Sequence, residues 1–140
     1  MKTKTVKHTV AFKATPREIY DMLMDSKKHQ AFSGAKANIS DKVGGKISAY
    51  GGYISGYNLA LRPGKRIVQA WRGSSWAPDH YSIVIYDLKK AKGGAKLTFS
   101  HIGVPVENYA SIDKGWVEAY WDPMKAAIAK AGGAKQRKRR

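Results

Sequence analysis

The sequence predicts an α+β fold: a strongly curved antiparallel sheet of about seven strands wraps around one long C-terminal helix, with two short helices after the first strand. Three observations predict it. From Ala35 to Val104, short runs alternate apolar and polar residues. The runs are separated by Val43-Gly44-Gly45, Gly51-Gly52, Pro63-Gly64, Gly73 through Pro78, and Lys92-Gly93-Gly94. Such breaks supply the positive or fixed φ of tight reversals, and connections this short force antiparallel neighbours. Near the C-terminus the period changes: Val117, Trp121, Met124 and Ile128 recur at helical spacing. Finally, the glycine pairs permit the curvature a sheet needs to wrap a helix.

The elements follow in order. Thr3 to Lys13 alternates, with Val6, His8, Val10 and Phe12 on one side, as a half-buried strand does. Thr15-Pro16-Arg17-Glu18 opens a helix with a capping box and Pro at its first position. Ile19, Leu23 and Met22 or Tyr20 give its buried stripe. Asp25-Ser26 ends it, and Ser26 caps a second short helix that closes near Phe32. Six strands are expected at 37–41, 45–50, 53–61, 66–72, 81–88 and 96–102. Ser111 is the expected N-cap of the long helix. Pro123 should kink it near Ala119 to Trp121, and Gly132-Gly133 should end it.

The chain of 140 residues is sized for one domain. We expect that domain over 1–131 and a basic disordered tail over 132–140. With no cysteine, disulfides and thiolate metal sites are excluded. No apolar run is long enough to cross a bilayer, and the N-terminus lacks a signal peptide's apolar stretch. These features lead us to expect a cytoplasmic protein, or a nuclear one in a eukaryote. The formal charge is +16, with five cations among the last six residues and most of the remainder before Glu107. A basic body favours acidic protein faces, nucleic acid or anionic lipid; the alternative is a charge that serves solubility.

Several motifs carry a resemblance. They are Val43-Gly44-Gly45-Lys46, Gly51-Gly52-Tyr53-Ile54-Ser55-Gly56, the run from Pro63-Gly64 to Trp71-Arg72, Gly103-Val104-Pro105, Gly115-Trp116 and Tyr120-Trp121. In this order, over about residues 8 to 130, the chain resembles the START-like (SRPBCC) helix-grip superfamily. Within it the chain resembles the C-terminal domain of the activator of the ninety-kilodalton heat-shock protein ATPase and its stand-alone homologues. The resemblance implies a non-enzymatic, co-chaperone-like binding domain. Its implied partner is heat shock protein 90 or another acidic protein surface. The wider superfamily implies the alternative of a carrier of a small apolar ligand, or a weak cavity enzyme.

His8 and His101 are the leading polar candidates. Each shares a strand face with apolar residues and should point under the helix. Two imidazoles in a cavity can orient a ligand or act as a base; the alternative is a hydrogen-bonded core histidine. Tyr53, Tyr57, Trp76, Trp116 and Tyr120 are expected to line or cap the same cavity, with ordinary packing as the alternative. His29, on a Lys-rich helix, is expected to be exposed. Asp79-His80 is not expected to form a dyad, because strand neighbours face opposite ways. No metal or cofactor is expected: the histidines lack ligand spacing, and the glycine loops precede strands rather than helix N-termini. A third function, charge-driven binding of nucleic acid or anionic membrane, is held lowest, because the outer face offers lysines without a stacking platform.

Overall fold

The computed structural model describes residues 2–138, with side chains through residue 132. Seven strands form one antiparallel sheet in the order β1-β7-β6-β5-β4-β3-β2. They are β1 (Thr3–Phe12), β2 (Asn38–Ile39), β3 (Lys46–Ala49), β4 (Ile54–Arg62), β5 (Arg66–Gly73), β6 (Ser82–Ala91) and β7 (Gly94–Pro105). From β2 onward the sheet is a meander, and β1 pairs with β7 at the opposite edge. Helices α1 (Pro16–Met24) and α2 (Ser26–Ser33) carry the chain from one edge to the other. The predicted fold is the observed one.

Local chemistry sets the boundaries. Thr15 Oγ1 accepts from Glu18 N–H and Glu18 Oε1 accepts from Thr15 N–H, so the capping box is complete. Such a cap contributes about 1 kcal/mol. Asp25, not Ser26, caps α2; Ser26 is already helical, and its hydroxyl accepts from Ile39 N–H at 2.9 Å. The β2 strand is shorter than expected because only two residues find a ladder on β3.

Two features bend the sheet. A Cβ at Gly56 would lie 1.8 Å from the Ala70 carbonyl oxygen, so only glycine lets β4 and β5 close there. Beyond it, β4 bulges between Asn58 and Ala60, leaving Leu59 outside the ladder. At the β3–β4 corner a 3₁₀ turn spans Tyr50–Gly52. Tyr50 sits there at φ 52°, alone among the described non-glycine residues in having positive φ.

The chain then crosses the concave face. A 3₁₀ turn (Val106–Asn108) leads into α3 (Tyr109–Trp116), a π-helical turn (Val117–Trp121) and α4 (Asp122–Lys138). Ser111 is therefore inside the helix, its hydroxyl donating back to the Asn108 carbonyl at 3.1 Å. The expected kink takes the form of the π turn: Asp122 N–H bonds the Val117 carbonyl five residues back. Pro123 has no N–H for the Ala119 carbonyl four residues before it. The Tyr50 hydroxyl donates to that carbonyl instead.

Gly132-Gly133 does not end the helix, since α4 continues through it to Lys138. Glycine weakens a helix but stops it only when the chain turns left-handed. The last two residues of the expected disordered tail lie outside the described residues. Among the described residues, no helix is long and apolar enough to cross a membrane.

Candidate functional site

The space between the helix and the sheet is mostly filled by rings. Trp116, Tyr120, Trp121 and Met124 come from the helical side; Val84, Tyr86, Leu97 and Phe99 come from the sheet, and all are buried. Trp116 is central, 4.4 Å from Phe99 and 4.6 Å from Tyr120 between ring centroids.

Both strand histidines point inward, as their alternation predicted, and each is bonded through both ring nitrogens. The Trp116 indole N–H donates to His101 Nδ1 at 3.0 Å. An indole can only donate, so Nδ1 must be the bare nitrogen and Nε2 carries the proton. Nε2–H then donates to Ser82 Oγ at 2.7 Å, and the Ser82 hydroxyl donates to the Trp71 carbonyl at 2.7 Å. Burial holds the His101 pKa down to about 3, so the ring is neutral at physiological pH.

His8 repeats the bond near the edge. The Trp121 indole donates to its Nδ1 at 2.8 Å, which leaves Nε2–H to donate to Asp113 Oδ1 at 2.6 Å. Here the ring is partly exposed and its second partner is a carboxylate at the surface. Each imidazole thus clasps the helix to the sheet, and its one lone pair is already used.

An opening lies beside the β3–β4 corner. It is an almost wholly apolar pocket of about 250 Å³, and its walls include Tyr50, Tyr53, Trp71, Ile112, Trp116 and Tyr120. Three of the seven residues singled out from sequence, Tyr53, Trp116 and Tyr120, meet there. His8 and His101 lie outside it, in their clasps.

Trp76 is not at its mouth. It is buried over Trp71 and stacked on His101 with centroids 6.2 Å apart. The loop folds inward because an indole gains more from the aromatic core than from water. Its indole N–H is buried with no partner.

Tyr57 is on the opposite, convex face, 6.4 Å from Tyr81. Inward-facing Ile54 and Gly56 force Tyr57 outward by the strand period, a signal that the alternation already contained.

Tyr50 forms part of the wall as well. Burial pushes its hydroxyl up to about 12, which keeps it a neutral donor to the Ala119 carbonyl. Its left-handed backbone and the facing π turn are both irregularities of the kind that mark built sites.

His29 is buried, not exposed. Its Nε2 lies 2.9 Å from the Tyr120 hydroxyl, and burial lowers its pKa to about 4. Lys27 and Lys28 face water while the next residue turns toward the core. His80 accounts for itself by bonding the Gly103 carbonyl at 2.8 Å. Among the described residues, no group of three or more His, Asp or Glu side chains is placed to hold a metal ion.

Comparison with known proteins agrees with this geometry. The family described as "Activator of Hsp90 ATPase homolog 1-like protein" matches residues 13–129. An activator of 90 kDa heat shock protein ATPase homolog from Dictyostelium discoideum is 33% identical over 126 residues, covering 88% of this chain and 32% of that protein. A mouse homolog of the same description, number 2, is 27% identical and covers 86% of this chain and 36% of its own length. The chain thus spans about a third of the length of these curated relatives.

Among solved structures, an HSP90 activator from Plasmodium falciparum superposes with a TM-score of 0.84 at 22% identity, covering 89% of this chain and 96% of that one. The Aha1 dimer from Colwellia psychrerythraea gives 0.77 at 18% identity, covering 89% and 96%. These two likenesses show the shared fold; the family match and the Dictyostelium relative carry more, and by them the chain belongs to the family of Hsp90 ATPase activator homolog 1-like proteins.

Proposed function

We propose that this chain is a non-enzymatic binding domain of co-chaperone type, and that its partner is a ninety-kilodalton heat-shock chaperone or another acidic protein surface. The observation that carries this reading is the commitment of the interior. Both inward imidazoles are spent on holding the helix, and rings fill most of the space where a substrate would sit. Function then belongs on the outside, where a chain of charge +16 attracts acidic partners.

The test uses purified Hsp90. The chain should co-purify with it at low salt, release as salt rises, and change its ATPase rate. Absence of binding at low salt, together with an unchanged ATPase rate, would overturn the reading.

One observation favours a second reading. The apolar pocket beside Tyr50 fits a small uncharged molecule, with burial of its apolar surface as the driving force. Native mass spectrometry of protein purified from its own host would reveal such a molecule as an added mass. Pure apo protein would remove this reading.

A further inference from the structure

The convex face of the sheet departs from the rule for its class. An antiparallel sheet with one face in water should be apolar inside and polar outside. Two rows running across the strands obey it. One is Arg62, Arg66, Asp87, Thr98 and Thr9; the next holds Lys89 and Lys96.

The adjoining two rows do not. Tyr57, Ala70, Ile83 and Ile102 are register partners across four strands, and so are Ala60, Val68 and Ile85 across three. Tyr57 and Ile102 are 40% and 43% exposed. β6 shows the anomaly most simply: Val84 and Tyr86 face the core, while Ile83 and Ile85 face out. A contiguous exposed apolar patch is uncommon on a solvated surface unless something binds there.

We propose that these two rows are the centre of the partner-binding surface, and that they take an acidic protein segment carrying apolar side chains. The inference rests on the acidic-partner reading above and names its surface. Charge complementarity selects the occupant. The band is bordered by Lys7, Arg62 and Arg66, and Lys89 and Lys96 stand one row farther out. Asp87 stands among these cations and is bonded to Arg66 at 3.0 Å.

A basic cleft that shares Arg62 and Arg66 continues the same charge with Arg17, Lys65 and Lys90 around Pro63 and Leu88. An apolar centre with a charged rim is the ordinary anatomy of a protein interface. A second copy is disfavoured because each carries +16. Nucleic acid is disfavoured because Tyr57 is the one ring in these two rows, whereas single strands need successive rings to stack on.

The test uses two probes on the full chain: purified Hsp90, and a short synthetic peptide alternating Glu with Leu. Amide chemical shifts are mapped during peptide titration. Hsp90 affinity is measured for the unmodified chain, for the double variant Tyr57→Ser/Ile102→Ser, and for Lys89→Glu/Lys96→Glu. The first variant should weaken binding about tenfold or more, as loss of central anchors does. The second should flatten the salt dependence. Both side-chain pairs are solvent-facing, so the thermal midpoint should stay close to that of the unmodified chain, which separates loss of binding from loss of fold.

Peptide shifts clustered on Ala70, Ile83, Ile85 and Ile102 support the proposal. If Hsp90 fails to bind but the peptide maps to these rows, the chaperone reading falls and the surface stands. If Hsp90 binds the Tyr57→Ser/Ile102→Ser variant undiminished, the surface is overturned and the chaperone reading stands. Shifts confined to the Tyr50 pocket, shifts from neither probe, or self-association of the free chain through these rows each overturn the proposal.

Discussion

Around His101, the Trp116 indole, the Ser82 hydroxyl and the Trp71 carbonyl form a closed chain of neutral hydrogen bonds, deep under the helix. Around His8, an indole makes the same bond to the same ring nitrogen, but the chain ends on Asp113 at the surface. The two clasps share a geometry and differ in what the protein around them tolerates. At His101 a proton on Nδ1 would displace the indole and place a charge among Trp71, Phe99 and Trp116. At His8 the carboxylate is 2.6 Å away and water is at hand. One clasp depends on staying neutral, whereas the other has a counter-charge in reach.

The comparison is tested most severely by removing the deep indole. Trp116→Ala should cost about 3–5 kcal/mol, since it empties the centre of the ring cluster and leaves His101 Nδ1 unpaired. Chemical denaturation measures this; a loss below about 1 kcal/mol would show that the deep clasp is not the main attachment of the helix.

Acidification should come next. An unfolded histidine binds its proton near 6.5, whereas His101 resists to about 3 and His29 to about 4 in the folded state. Between these values the unfolded chain holds more protons. The contribution is complete above pH 6.5 and is lost as pH falls through the window toward 4 and then 3, by several kcal/mol in all. Unfolding curves across pH 7 to 4 check the sign, and His101→Gln should flatten the slope. A slope unchanged in that variant would move the effect elsewhere.

Trp121→Phe should cost only about 1–2 kcal/mol. Phenylalanine keeps much of the ring packing, and the freed Nδ1 of His8 lies close enough to the surface to find water. If it matches Trp116→Ala, the two clasps are equivalent after all. The smallest effect is expected for Asp113→Asn, under about 1 kcal/mol, because the carboxylate is 43% exposed and its bond competes with solvent. Thermal melts at neutral pH resolve that difference.

Residues within a few positions of one another made much of the fold readable. The Thr15–Glu18 box, the glycine corners and the alternation of the strands depend on local geometry, and each lies close to where the sequence put it. Alternation also turned His8 and His101 inward correctly. It failed to show that the space they entered was already occupied. Their indole partners lie 113 and 15 residues away, and they meet only because β1 pairs with β7 and the helix crosses both. Trp76 turns inward unannounced for the same kind of reason: its loop has no period, so the sequence gives no direction for the ring. The apolar outer rows were also hidden. Ile83 and Ile85 look like a buried strand's continuous apolar run until the register shows one face of it uncovered.

The sequence by itself determined the helix-grip architecture and the basic net charge, because period, turn chemistry and charge are written in neighbouring residues, and its motifs carried the family resemblance. Only the tertiary structure decided three other things: which ring nitrogen each histidine offers, where a residual apolar pocket opens beside Tyr50, and which apolar residues are left facing water. Those depend on strand register and on how the helix seats against the sheet. Both are set by packing the whole core at once, which no local stretch of sequence encodes.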